Sequence, residues 1–170
     1  PQYDWIRSHL GDQLHTTPEL GTYYYGFDLQ RPPFEGDAKL RRALSMVIDR
    51  EKLARLVLRA GELPAYTWVP PGVADYTPQQ PDYASLPLAQ RIAEARRLYA
   101  EASYSAANPV RFELRYNTGE VHAELAIAIA SMWRQALGAQ VTLRAEEFRS
   151  LLQDINQGNV VSVNVVQAER

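Results

Sequence analysis

The chain has 170 residues, 46% of them hydrophobic and 22% charged, with a formal net charge of −2 at pH 7; that suits a single domain over 1–170 with a substantial core, and not a disordered or coiled-coil chain. Basic residues are scattered rather than clustered, which argues against nucleic acid as a partner, and no apolar run approaches the ~20 residues that a membrane span needs. Cysteine is absent, which removes disulfides, thiolate metal sites and cysteine nucleophiles together.

The chain opens Pro1-Gln2-Tyr3-Asp4-Trp5, without a signal-peptide pattern and without methionine, as expected of a processed chain or a cloned fragment. Apolar residues at 3, 6, 10 and 14 predict an amphipathic helix weakened by Gly11, and His15 to Pro18 an extended link. Gly21–Phe34 (GTYYYGFDLQRPPF) follows. Its aromatic run, bounded by Gly21 and by Arg31-Pro32-Pro33, reads as a strand that must stop at the prolines. Apolar residues at 40, 43, 44, 47 and 48 share one face of a helix over 38–48, and Asp49 is placed to cap a second helix from Arg50 to about 59, with Gly61 as its terminator.

Six of the eleven prolines lie between Glu62 and Pro87, interleaved with Tyr66, Trp68, Tyr76 and Tyr83. A stretch this long without helix or strand periodicity predicts an ordered loop packed on the domain by its aromatic side chains. Regular structure resumes with a helix from Pro87 to about Ser103, whose apolar positions are 88, 92, 95, 98, 99 and 102. Val110–Tyr116 alternates apolar and charged residues and predicts a strand with one buried face, ended by the turn Asn117-Thr118-Gly119. The run from Glu120 to Leu137 is the most apolar helix pattern and is expected to be deeply packed, closing at Gly138. Gln140–Arg144 reads as a strand, Glu146–Gln157 as a helix with Phe148, Leu151, Leu152 and Ile155 inward, and the valine-rich stretch 160–166 as a last strand. Helices alternating with strands towards the end predict an α/β layer with at least one crossover connection.

Catalytic groups are sparse. His9, His15 and His122 have no metal-binding spacing, and no serine stands in a G-x-S-x-G frame. Glu146-Glu147 and Asp49-Glu51 sit at helix starts, where carboxylates serve caps and the helix dipole. His9 and His15 read as surface histidines. His122 differs, because it stands in the first turn of the most apolar helix just after a turn, where loop ends commonly face ligands. Neighbouring tyrosines on a strand face opposite sides, so Tyr23, Tyr24 and Tyr25 cannot all enter one core.

Tyr-Tyr-Tyr-Gly-Phe-Asp at 23–28, Pro-Pro-Phe at 32–34 and Leu-Arg-Arg-Ala-Leu-Ser-Met-Val-Ile-Asp-Arg-Glu at 40–51 resemble the signature of the extracytoplasmic solute-binding proteins of the peptide and nickel class. These are the receptor components of ABC importers, and the resemblance is to the oligopeptide-binding branch. It continues through Gly61–Tyr66, Val69–Gly72, Ala93–Ala102, Leu114–Thr118, His122, Ile129–Trp133 and Leu137-Gly138, from about Leu14 to Gly158.

The resemblance implies a lobe of the type II periplasmic-binding-protein kind, a mixed sheet flanked by helices, here most of the C-terminal lobe without the N-terminal lobe that completes the cleft. It implies a non-enzymatic receptor, periplasmic or otherwise extracytoplasmic, that captures an oligopeptide and delivers it to ABC permease subunits, with no cofactor and no metal. Tyr23 and Tyr25 correspond to a segment lining the cleft, His122 to a histidine facing the peptide's C-terminal end, and Phe148 to a position beside a side-chain pocket. The isolated lobe is expected to bind peptide weakly or not at all. Asn159–Asn164 departs from the family's usual run, so no ligand contact is carried over there. Other readings of the sequence are the same receptor class with a nickel complex, a murein peptide or a sugar as ligand, an interaction module using loop 62–87, and a small α/β enzyme.

Overall fold

The computed structural model describes residues 2–15, 20–158 and 164–167. Helix α1 (Gln2–Leu10) runs into a 3-10 turn at Gly11–Gln13, and β1 is Tyr23–Gly26. Part of the expected link at 15–18 and the expected strand residues 160–163 lie outside the described residues.

After β1 the chain enters α2 (Ala38–Met46), where the Asp37 carboxylate accepts the Leu40 amide at 2.9 Å. Such a cap satisfies one of the amides that a helix start leaves unpaired. Leu40, Ala43, Leu44 and Val47 are buried as the apolar spacing requires, whereas Met46, outside that spacing, is buried too and Ile48 is only half-buried; Val47 closes the helix one residue short of the expected Ile48. Asp49 caps α3 (Arg50–Lys52) by accepting the Lys52 amide at 3.0 Å. The helix then widens into π turns over Leu53–Leu58, and Arg59, in the left-handed region at φ 58°, ends it with its amide on Ala54 O. The terminator is therefore Arg59 rather than Gly61.

Loop 62–87 is ordered by two aromatic anchors. Tyr66 donates to Glu51 and accepts from Arg91, each at 2.8 Å, and the Arg50 guanidinium stacks on its ring. Arg91 is buried at 3% exposure, and this hydrogen-bonded setting is what lets a charged group enter the interior. Tyr83, in the 3-10 turn Asp82–Ser85, is buried against α2 and bonds to the Ser45 hydroxyl.

The main framework is α4 (Leu88–Glu101), β2 (Arg111–Asn117), α5 (Glu120–Leu137) and β3 (Gln140–Glu146), followed by α6 (Phe148–Asn156) and β4 (Asn164–Gln167). β2 and β3 pair in parallel from Arg111↔Gln140 to Asn117↔Glu146, with α5 as the crossover that a parallel pair demands. β1 pairs antiparallel with β4, Tyr23 opposite Gln167 and Tyr25 opposite Val165. The arrangement is the expected mixed α/β lobe flanked by helices, although the described strands form two separate two-stranded ladders, with β4 lying beside β2.

Val110, Phe112, Leu114 and Tyr116 enter the core from one face of β2, as the alternation requires. They meet α5 through Leu125, Ala126, Ile129, Trp133 and Leu137. The fully buried Trp133 indole donates to Leu44 O at 2.9 Å and so joins α5 to α2. Only one face of α5 is packed, since Ile127 is 58% exposed and Val121 is also exposed. The all-round apolar pattern thus overstates its burial. On the other face of β2, Arg115 bonds to Glu113 and Asp154, each at 2.7 Å, and lies 3.5 Å from Glu146. That network ties β2, β3 and α6 together.

Candidate functional site

Parallel strands with crossover helices gather the helix N-termini at the strands' carboxyl edge, which is where ligands of open α/β sheets bind. Here β2 ends at Asn117 and β3 at Glu146, in register, and the Thr118 amide donates to Glu146 O at 2.8 Å. α5 and α6 both start beside this edge. Glu147 caps α6 by accepting the Arg149 and Ser150 amides, so one carboxylate of the Glu146-Glu147 pair serves a cap as its position predicts. Glu146 is strand rather than helix. α5 has no side-chain cap at Gly119, which leaves its first-turn amides and the positive end of its dipole directed at the edge.

His122 stands in that first turn. Its Nδ1 is 3.2 Å from the Tyr23 hydroxyl, and the two rings stack with centroids 5.7 Å apart and planes 13° from parallel. Burial holds the imidazole below the ordinary histidine value, because desolvation disfavours the charged form. Gly119 makes the placement feasible. Its φ is 151°, and a Cβ there would sit 3.0 Å from His122 Cδ2.

Tyr25 packs edge-on against Tyr23 with centroids 5.7 Å apart, and its hydroxyl is buried. Burial pushes both phenols up from their ordinary value, so both remain neutral hydrogen-bonding groups. Tyr23 and Tyr25 also pack on the core cluster, and Tyr24 turns the other way, its ring 4.2 Å from that of Trp68. The strand alternation therefore divides the three tyrosines as expected.

Three of the four candidate residues, Tyr23, Tyr25 and His122, meet at one corner. Phe148 does not join them. It is the first residue of α6, 39% exposed, and makes no ring contact with them among the described residues. It shares their edge of the sheet but not their cluster, and it is not inward as the helix pattern predicts. Beginning α6 two residues later than expected turns Phe148 to the open end and leaves Leu151 as the buried anchor.

Asn117, which the sequence marks only as part of a turn, lies at the same edge as the last residue of β2. Its Oδ1 is buried without a partner among the described residues. Buried amide oxygens are normally paired, and the available signal was its position at the last residue of an alternating strand. Asp28 Oδ2, just after β1, is also buried without a hydrogen-bond partner among the described residues. His9 and His15 are exposed, as expected, with His9 stacked on Trp5. An open groove between α2, Asp82–Ser85 and α4 lies elsewhere. Its charges already neutralise one another, with Arg42 on Asp82 and Arg97 on Glu94 and Glu101, which leaves little there to recognise a ligand. Among the described residues no helix is long and apolar enough to cross a membrane, and no group of acidic residues or histidines could hold a metal ion.

Comparison with known proteins gives a consistent family. A model of bacterial extracellular solute-binding proteins, family 5 Middle, matches residues 2–165. The probable deoxycholate-binding periplasmic protein YgiS of Escherichia coli is 41% identical over 147 residues, covering 86% of this chain and 27% of that protein. The periplasmic oligopeptide-binding protein OppA of Salmonella typhimurium is 35% identical over 153 residues, covering 90% and 28%. The solved structure of the Escherichia coli murein tripeptide binding protein MppA superposes with a TM-score of 0.90 at 36% identity, over 98% of this chain and 32% of that one. The chain spans about a third or less of the length of each of these relatives.

Proposed function

Because the chain belongs to the family 5 bacterial extracellular solute-binding proteins, we propose that it forms most of the C-terminal lobe of an oligopeptide receptor in the periplasm, or otherwise outside the cytoplasmic membrane. The receptor hands its ligand to the membrane subunits of an ABC importer, and its N-terminal lobe supplies the other wall of the cleft. It works by binding, not by catalysis. The observation that carries this reading is the corner of Tyr23, Tyr25 and His122 beside the uncapped start of α5. Neutral hydroxyls suit the polar backbone of an extended peptide, which is the part that all peptides share. An uncapped helix start with an imidazole beside it suits the C-terminal carboxylate. Phe148, exposed on the same edge, is placed to border a ligand side chain.

A non-peptide solute is the second reading. It is favoured by the likeness to a relative named as a probable deoxycholate-binding protein, a ligand that also ends in a carboxylate. Calorimetric titration of the two-lobe receptor with di- to pentapeptides and with deoxycholate separates the two. In the peptide reading, His122→Ala weakens peptide binding about tenfold, the worth of one hydrogen bond to a charged group. Deoxycholate heat without peptide heat would move the assignment to the second reading, and a silent His122→Ala would return His122 to a structural role.

A further inference from the structure

We propose that Tyr23 is a positioning residue that fixes His122 as its Nε2–H tautomer, so that the ring edge away from β1 presents a hydrogen-bond donor. The ligand consequence rests on the receptor reading above; the tautomer itself does not.

The geometry is a single contact, Tyr23 hydroxyl to His122 Nδ1 at 3.2 Å. In a neutral imidazole one nitrogen donates and the other accepts, and the hydrogen bond on one nitrogen decides the state of the other. A phenol is the stronger acid of the two groups and an unprotonated imidazole nitrogen the stronger base, so O–H···Nδ1 is the favoured direction. The proton of His122 is then on Nε2, which has no hydrogen-bond partner among the described residues. Three features hold the pair in register: the stacked rings, the edge-on support of Tyr25, and the absent side chain at Gly119. A neutral donor suits a receptor that must release its cargo, because it recognises a carboxylate without the stronger hold of a full ion pair.

The chain contains its own references. His9 Nδ1 lies 2.9 Å from both Trp5 O and the Ser8 hydroxyl, and that hydroxyl itself donates to Trp5 O; a proton on Nδ1 satisfies all three contacts, so the opposite tautomer is expected of His9. His15 is exposed and has no hydrogen bond among the described residues, so it serves as the comparison ring.

The test is long-range proton–nitrogen correlation spectroscopy of the histidine-labelled chain, at a pH well above the ordinary histidine value, with His122→Gln to assign its signals. The expected result is the Nε2–H pattern for His122 and the Nδ1–H pattern for His9. Tyr23→Phe should move His122 towards the averaged pattern of His15, while Tyr24→Phe, on the opposite face of β1, should leave it unchanged. An Nδ1–H pattern for His122 in the unaltered chain, or an unchanged pattern in Tyr23→Phe, would overturn the proposal. Addition of millimolar trialanine to the histidine-labelled two-lobe receptor reports separately on the ligand reading: if the His122 signals stay still there, that reading loses support while the tautomer assignment stands.

Discussion

His122 carries a pH dependence of definite sign. Burial places its folded pKa below the ordinary 6.5 of the unfolded chain, so between those two values the unfolded chain binds more protons and stability rises with pH. This contribution is complete above 6.5, declines as pH falls through the window, and is constant again below the folded pKa. Thermal melts between about pH 5 and pH 8 should therefore show a steeper loss of midpoint on acidification in the unaltered chain than in His122→Gln. Equal slopes in the two proteins would contradict the half-buried, neutral imidazole. At this scale the sequence was partly legible. The place of His122 in the first turn of an apolar helix marked it, and alternation along β1 required that Tyr24 diverge from Tyr23 and Tyr25. The Tyr23–His122 contact joins residues 99 positions apart, a pairing that no local pattern encodes. Asn117 was read as a turn residue for the same reason, because only the pairing of β2 with β3 makes it the buried end of a strand.

At the scale of elements, the carboxyl edge depends on how α5 starts. Gly119 holds a φ of 151°, and a Cβ there would lie 3.0 Å from His122 Cδ2, so Gly119→Ala meets backbone strain and a tight contact that the His122 ring must move to relieve. The expected cost is about 1–2 kcal/mol in urea unfolding, together with displacement of the His122 signals. Gly11→Ala is the contrasting case, since nothing lies within 4 Å of a Cβ there, and it should leave both stability and His122 nearly unchanged. Comparable costs at the two glycines would remove the special role of Gly119. β2, α5 and β3 were legible because alternation, an apolar helical face and flanking turn residues all agree along them. The errors fall where two signals compete. Glu146 continues the strand through its pairing with Asn117, which delays α6 and turns Phe148 outward. Arg59 ends the π turns that follow α3, ahead of Gly61, because they bring its amide to Ala54 O.

For the whole molecule, the proposed receptor reading makes the Tyr23–His122 corner a recognition surface on one edge with no opposing wall of its own. A ligand held only at that edge remains largely solvated, so affinity must come from closure of a second lobe that excludes water and completes the hydrogen bonds. The isolated chain is accordingly expected to bind peptides far more weakly than the two-lobe receptor. Family and fold were legible from ordered short motifs spread over most of the chain, and the match over residues 2–165 is consistent with that spread. Ligand preference was not legible, because contacts to a peptide backbone place few demands on side-chain identity.

The most direct measurement is photo-cross-linking of the two-lobe receptor by a tripeptide carrying a photoreactive group at its C-terminal residue, with the attachment sites read by mass spectrometry. Attachment within Gly119–His122 and Tyr23–Tyr25, competed away by unlabelled peptide, is the predicted result. Competed attachment confined to the groove between α2 and α4, or to residues remote from the carboxyl edge of β2 and β3, would contradict the assignment of the Tyr23–His122 corner as the peptide-facing site.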